Sequence, residues 1–517
     1  MRAMTSPATP ALRPEHPVAR SLSGLVSDFA LDVVGDVDDV EVTGVTLSSG
    51  DVQPGDLYVG LRGVRVHGAR FAADAAASGA VAVLTDPDGL ADAQGSGLPV
   101  ILTPDPRAAL GDIAAWVHRS AENPATLYGV TGTNGKTSVV YLLDGLLRQL
   151  GVVTGLTSTA ERRIGEESIT SRLTTPEASE LHALLARMRE AEVRAVTIEV
   201  SAQALTRHRV DGLVFDIAAF INLSHDHLDD YADFEEYFDA KAAFFDPDRA
   251  RRGVVSLDTE WGQRIVDGSR IPMTTIASKP GVDADWTVTV LEQTPDSTGF
   301  RLEGPDNRVL VSRVPVPGWF MAANAGLAIV MLVESGYDLD AVAHVLDRDG
   351  GIQAYIPGRA ERVSGETGPL FFVDYGHTPD AFEQTLQALR PFTPGKLVMV
   401  FGADGDRDTT KRAEMGAIAA RLADVVVITD YHPRYEDPAS IRASLIAGAM
   451  AAVPDREIHE VPDPATAIRT AVSLVGEGDT ILVAGPGHED YHEVAGRKIP
   501  FSARDDARAA LRDAGWS

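Results

Sequence analysis

A chain of 517 residues is too long for one hydrophobic core and points to about three domains; with 44% hydrophobic and 23% charged residues it reads as globular, not disordered. Its 46 Lys and Arg against 75 Asp and Glu leave a net charge of -29, which repels nucleic acid and anionic lipid, so a nucleotide site would need its own cations or backbone amides. No cysteine occurs, which excludes disulfides, thiol catalysis and cysteine-held metal centres.

Residues 1–20 carry four prolines and no apolar run of signal-peptide length, and are expected to be a flexible tail. Nowhere does an apolar run reach membrane-spanning length. A cytoplasmic protein with neither membrane nor nucleic acid as partner is expected.

Residues 21–122 read as a small α/β unit. From Val42 to Thr85, β-rich runs alternate with Gly, Pro and Asp turns and an Ala-rich helix, and a second helix near Arg107 to Ser120 closes the unit. The segment AENPATL reads as a linker. Residues 123–355 then begin with the strand TLYGV, turn through TGTNG and enter the helix KTSVVYLLDGLLRQL, whose apolar residues recur at helical spacing. The strands AVTIEV and DIAAFINLS and the helix EEYFDAKAAFF follow, and such alternation implies a parallel sheet. A Pro-rich β stretch leads to a helix starting near Met321. Residues 356–517 repeat the rhythm, with the apolar strands LFFVDY, KLVMVFGA, DVVVITD and DTILVAGPG ending in polar residues or glycine. That is the pattern of a Rossmann-like sheet with its chemistry at the strands' carboxyl ends.

The stretch GVTGTNGKTS, residues 129–138, places a Gly-rich turn between a strand and a long helix, which aims backbone N–H groups and the positive helix end at an anion. Lys136 would reach the outer phosphates of a nucleotide and the Thr137 hydroxyl a magnesium ion. The plain alternative is a Gly-Thr-Asn turn that only caps the helix. Its place after a strand favours phosphate binding, although Val130 stands where the usual pattern has glycine. Glu199 ends another apolar strand, and NLSHDHLDDY closes a third with His225, Asp226, His227, Asp229 and Asp230. Magnesium prefers carboxylates, phosphates and water. A single polar cluster of this kind is usually a solvated turn, but two strand ends beside a phosphate loop weaken that reading.

The loop spacing T-G-T-N-G-K-T resembles that of the Mur ligase family, the ATP-dependent amino-acid ligases of peptidoglycan synthesis, and of their folylpolyglutamate synthase relatives. NLSHDHLDD is similar to the family's N-L-x-x-D-H-L-D. Three later motifs resemble the branch that adds the third residue of the peptide stem: LFFVDYGHTPDAF with D-Y-A-H-T-P-D, FGADGDRDTTKRAEMG with F-G-C-G-G-D-R-D-x-x-K-R-P-x-M, and AGPGHEDY with G-K-G-H-E. VTLSSGDVQPGDLYVGLRG is similar to the uridine-nucleotide-binding start, with Ser48-Ser49-Gly50 in place of Asp-Ser-Arg.

The resemblance implies an α/β protein of three domains: a small N-terminal uridine-nucleotide-binding domain, a central P-loop-like ATPase domain with a parallel sheet, and a C-terminal Rossmann-like domain. It implies ATP binding by Gly132, Thr133, Asn134, Gly135, Lys136, Thr137, Asn324, Arg359, Asp374 and His377. Lys136, Glu199, His227 and Lys241 would be catalytic. Magnesium would lie on Thr137, Glu199, His227 and Lys241, the last carboxylated by CO2 to N6-carboxylysine. Leu47, Ser49, Thr174, Thr175, Ser201, Arg207 and Arg209 would meet UDP-N-acetylmuramoyl-L-alanyl-D-glutamate. Arg412, His432, Arg434, Gly485 and Glu489 would meet a free diamino acid.

The implied reaction moves the γ-phosphoryl of ATP to the D-glutamate carboxylate, and the amine then displaces phosphate. Two departures stand out. Ala202-Gln203 replaces a usual Ser-His, and an amide cannot take up a proton. Tyr431-His432-Pro433-Arg434 replaces the D-N-P-R that goes with diaminopimelate, which leaves L-lysine, ornithine, meso-diaminopimelate or a similar diamino acid open. A folylpolyglutamate-type ligase and a non-catalytic nucleotide-binding relative are the alternatives. A monomer is expected, with its third unit closing over ATP.

Overall fold

The computed structural model describes residues 12–63, 65–226 and 230–516. Three α/β domains follow one another, each built on its own sheet. In the first, the strands stand in the spatial order Asp32–Val34, Val100–Leu102, Ala82–Thr85, Asp56–Gly60, Gly44–Thr46. All neighbours are parallel except the first pair. The helix Pro106–His118 opens on Asp105, whose carboxylate accepts the N–H groups of Arg107 and Ala108, and Pro106 supplies a preset φ. Its Leu110, Ile113 and Val117 pack on Val45, Leu57, Leu84 and Ile101.

The segment expected as a tail is held from Arg13 onward. Arg13 Nη1 donates to both carboxylate oxygens of Asp56 at 2.7 Å, the backbone of Glu15 and His16 donates to Glu190, and Arg20 reaches the Trp116 carbonyl. The sequence missed these partners because each lies tens to hundreds of residues away.

The central sheet has eleven strands. Its middle is parallel, in the order Thr154–Thr157, Ala195–Glu199, Thr126–Thr131, Ile217–Phe220, Gly253–Ser256, Met273–Ala277, Trp286–Thr294. The expected parallel sheet is therefore present at the centre, but antiparallel hairpins extend both of its edges. Register places Glu199 opposite Val130 and Phe220 opposite Thr131. Three central strands thereby end side by side at the carboxyl end of the parallel region.

The helix Lys136–Gln149 and the almost wholly apolar helix Trp319–Glu334 cover one face of that sheet, with Leu142, Leu146, Ala325 and Ile329 fully buried. Helices Ala178–Glu190 and Phe234–Ala242 cover the other through Leu181, Leu185 and Tyr237. Burial of each large apolar side chain contributes about 1.5–3 kcal/mol, which fixes the sheet end on which the polar residues sit.

The C-terminal sheet runs Glu361–Arg362, Leu370–Asp374, Thr480–Ala484, Leu397–Phe401, Val425–Ile428, Glu457–Glu460, parallel after the first pair. Helices Pro379–Leu389, Arg412–Leu422 and Pro438–Ala452 lie on one face and Pro464–Ser473 and Ala503–Asp513 on the other. Among the described residues no helix is long and apolar enough to cross a membrane.

Candidate active site

The loop after Thr131 needs its second glycine. Gly135 sits at φ 89°, a backbone state that L side chains avoid, and a Cβ there would come within 3.1 Å of Asn324 Oδ1. Asn222, just beyond the strand Ile217–Phe220, shapes the loop from the side: its Oδ1 accepts the N–H groups of Thr133 at 3.0 Å and Asn134 at 2.9 Å. Lys136 Nζ donates to the carbonyls of Gly132 and Thr133, both at 2.9 Å, and Lys241 Nζ reaches the same Gly132 carbonyl at 3.0 Å. Burial holds the Lys136 ammonium below its usual range, against the opposing pull of Glu199 and Asp226.

Lys241 is 1% exposed, with the Tyr237 ring 4.5 Å away and the pull of the Asp226 carboxylate as the opposing charge. Burial, reinforced by the nearby Lys136, drives the amine well below its ordinary range. Glu199 is buried beside the loop, its two oxygens accepting from the Thr159 backbone N–H at 2.8 Å and hydroxyl at 3.2 Å. His227, expected as a metal ligand, lies outside the described residues. Among the described residues no three His, Asp or Glu side chains converge as a preassembled metal cluster.

The C-terminal domain closes onto this loop. Arg359 Nη2 donates to the Thr137 hydroxyl at 2.8 Å while its guanidinium lies 4.4 Å from the Tyr375 ring centre. Asn134 Nδ2 donates to Asp380 at 3.1 Å. Asp374 uses both oxygens to hold its own turn, accepting from the N–H groups of Ala360 at 2.7 Å and Gly376 at 2.6 Å. His377 Nδ1 donates to the Tyr375 carbonyl at 2.9 Å, and its Nε2 lies 3.9 Å from Asp226.

Between the two domains lies a cleft of about 740 Å³. Of the residues expected at a site, it is lined by Thr133, Asn134, Gly135, Lys136, Thr137, Thr174, Glu199, Ser201, Arg209 and Asn324 from one side, and Arg359, Asp374, His377, Arg434 and Glu489 from the other. Several expected residues stand back from it. Gly132 and Lys241 lie beneath the loop, and Thr175 is fully buried with its hydroxyl on the Glu199 carbonyl at 2.7 Å. Arg207 is exposed and pairs with Asp230 at 3.1 Å. Leu47 and Ser49 follow the N-terminal strand Gly44–Thr46 and do not line the cleft, although Arg172 on its rim is 3.8 Å from nearby Asp51. Arg412 is buried in a bidentate pair with Glu436 at 2.6 and 2.8 Å. Gly485, at φ 116°, donates its N–H to the Asp374 carbonyl at 3.0 Å.

Family models for the Mur ligase middle domain, the Mur ligase glutamate ligase domain and the Mur ligase family catalytic domain match residues 130–332, 358–487 and 41–117. A UDP-N-acetylmuramyl-tripeptide synthetase of Leifsonia xyli subsp. xyli is 69% identical over 513 residues, covering 99% of this chain and 100% of that protein. The chain belongs to the Mur ligase family. A Streptomyces avermitilis UDP-N-acetylmuramoyl-L-alanyl-D-glutamate--2,6-diaminopimelate ligase is 46% identical, covering 99% of both chains. The solved structure of a ligase with that same printed name superposes with a TM-score of 0.65 at 26% identity, covering 97% of this chain and 100% of that one. As a Mur ligase, this protein is an ATP-dependent ligase.

In this Mur ligase the unusual His432 does not face the cleft. Its Nδ1 accepts the Glu493 backbone N–H at 2.7 Å, so Nε2 carries the proton and donates to Glu489 at 2.7 Å. Tyr431 donates to the same Glu489 oxygen at 2.8 Å. His432 thus holds a cleft residue. The other departure, Gln203, lines the cleft and donates to Asp230. Sequence reasoning overlooked Asn222, Thr159, Tyr375, Lys411 and Asp404. Asn222, Tyr375 and Lys411 carried a signal as fixed positions of the resembling motifs, and Asp404 as an acid where the motif has glycine; Thr159 carried none.

Proposed function

We propose that this Mur ligase joins a diamino acid to the D-glutamate of UDP-N-acetylmuramoyl-L-alanyl-D-glutamate, with ATP converted to ADP and phosphate. One observation carries the reading: a single cleft faces the phosphate loop, Thr174, Ser201 and Arg209 from one domain, and Arg359, Arg434 and Glu489 from another. Three reactants can meet there. The relatives named above as tripeptide synthetase and diaminopimelate ligase support the same acceptor.

A carboxylate is a poor electrophile, so the D-glutamate oxygen first attacks the γ-phosphorus and the bond to ADP breaks. The amine of the incoming amino acid then adds to the acyl carbon, the C–O bond to phosphate breaks, and the nitrogen loses a proton. The first step brings two anions together, and each unit-charge pair at 4 Å in an effective dielectric near 20 opposes it by about 4 kcal/mol. Lys136 supplies the fixed positive charge and the loop amides the oriented dipoles.

Magnesium fits the oxygen donors beside the loop: the Thr137 hydroxyl, the Glu199 carboxylate and Lys241 once carboxylated would hold it, with His227 as the further ligand the resemblance implies. When bound it would neutralise phosphate charge. The buried, weakly paired Lys241 amine supports carboxylation, because only a neutral amine adds to CO2.

Purified protein should release ADP only when both the UDP-dipeptide and a diamino acid are supplied. ATP turnover that ignores them, or no turnover with any amino acid, would overturn the reading.

A further inference from the structure

The amino-acid end of the cleft is unexpectedly acidic. Asp404 follows the strand Leu397–Phe401 and lines the cleft, with Oδ1 3.2 Å from Arg434 Nη2. That buried oxygen makes no well-directed hydrogen bond. Its loop is fixed on both sides, because the Asp404 carbonyl accepts from Arg412 at 2.8 Å and the Gly405 N–H donates to the His432 carbonyl at 3.0 Å. The carboxylate is held where it stands.

Arg434 is the cation at this end, and the protein already occupies it. Nη1 donates to the Gly405 carbonyl at 2.9 Å, Nη2 faces Asp404, and Nε lies 3.5 Å from Glu493. Glu489 adds a third carboxylate, which accepts from the Tyr431 hydroxyl and from His432 Nε2. Both Asp404 and Glu489 push the Tyr375 and Tyr431 phenols further up, beyond the effect of burial, which puts both acids within reach of the same two rings. Other cations lining the cleft are engaged. Arg359 is drawn to the Thr137 hydroxyl at 2.8 Å and the Tyr375 ring, away from the Asp404 and Arg434 pair, Arg504 donates to Asp490 at 2.8 Å, Lys411 is 3.0 Å from Asp226, and Arg407 is not free.

One guanidinium among three carboxylates attracts an ammonium group and repels a second carboxylate. We infer that Asp404 is a specificity-determining residue, which keeps this end of the cleft for a diamino acid with a single carboxylate and a distal ammonium and turns away one with a distal carboxylate. The inference rests on the ligase reading above. A distal carboxylate would have to displace Asp404 from Arg434, whereas a distal ammonium would find the Asp404 and Glu489 oxygens waiting.

The test measures kcat/KM by ADP release, with ATP and the UDP-dipeptide fixed, for L-lysine, L-ornithine, L-2,4-diaminobutyrate and meso-diaminopimelate. The unaltered enzyme should favour at least one of the first three over diaminopimelate by about tenfold or more. In Asp404→Asn and Asp404→Gly that preference should shrink by about tenfold, through KM for the amino acid and with KM for ATP little changed. A preference of the unaltered enzyme for diaminopimelate, which needs no variant to observe, overturns this inference and leaves the ligase reading standing. So does a preference that neither folded variant alters. Turnover with none of the four overturns both.

Discussion

Lys411, just before the helix Arg412–Leu422, stands 3.0 Å from Asp226, just beyond the central strand Ile217–Phe220, with side chains 6% and 8% exposed. Beside this pair, His225 Nε2 meets the Thr410 hydroxyl at 3.0 Å and Asp408 at 3.2 Å. The central and C-terminal domains are thereby clamped over the phosphate loop. Removing Lys411 takes away the cation 3.0 Å from the buried Asp226 and with it a charged contact between the two domains. Lys411→Met should therefore open the domains, read as a larger radius of gyration by small-angle scattering with unchanged circular dichroism. Scattering identical to that of the parent would show that the pair does not hold them.

Asn222 tests the loop. Two backbone N–H groups converge on its Oδ1, and each hydrogen bond is worth about 1 kcal/mol. Asn222→Ala should raise KM for ATP by roughly tenfold with a smaller effect on KM for the amino acid. Equal effects on both would indicate general loosening of the fold.

Lys241 is tested without an activity assay. Protein equilibrated with 13C-bicarbonate should show a carbamate carbon resonance that Lys241→Ala lacks. An identical spectrum from the variant would remove the carboxylated lysine from the mechanism.

His182 makes stability pH-dependent. Its Nε2 donates to the Asp211 carbonyl at 2.9 Å and its Nδ1 meets the Ser120 hydroxyl at 2.6 Å, so the neutral ring is fully hydrogen-bonded in its buried site. Burial lowers it to about 4 from 6.5, and burial with the neighbouring His182 lowers His118 to about 3. Between about pH 4 and 6.5 the unfolded chain therefore binds more protons than the folded one, so stability falls as pH falls through that window. The slope is about 1.4 kcal/mol per pH unit for each histidine. His182→Gln should show a shallower fall of thermal midpoint from pH 6.5 to 4.5. A parallel fall would assign the acid sensitivity elsewhere.

The form of the loop around Gly135 was legible because its parts are contiguous: a strand, the turn with Gly135 and the helix from Lys136 declare their geometry within a few residues of one another. The strand ends at Glu199 and Asp374 were legible for the same reason, since an apolar run that stops at a carboxylate marks its own carboxyl end. The fate of residues 12–20 was not. Composition predicts flexibility there, and only the folded chain brings Asp56 and Glu190 to Arg13, Glu15 and His16.

Taken alone, the order of residues determined the alternating α/β architecture, the strand–turn–helix around Gly135 and the acidic character, because periodicity and local backbone preference act over short spans. Tertiary packing decided what His432 and Asp404 do. His432 meets Glu489 across a sequence separation of 57, and Asp404 meets Arg434 because neighbouring parallel strands end side by side. Charges interact through distance in space, and only the assembled sheet sets that distance.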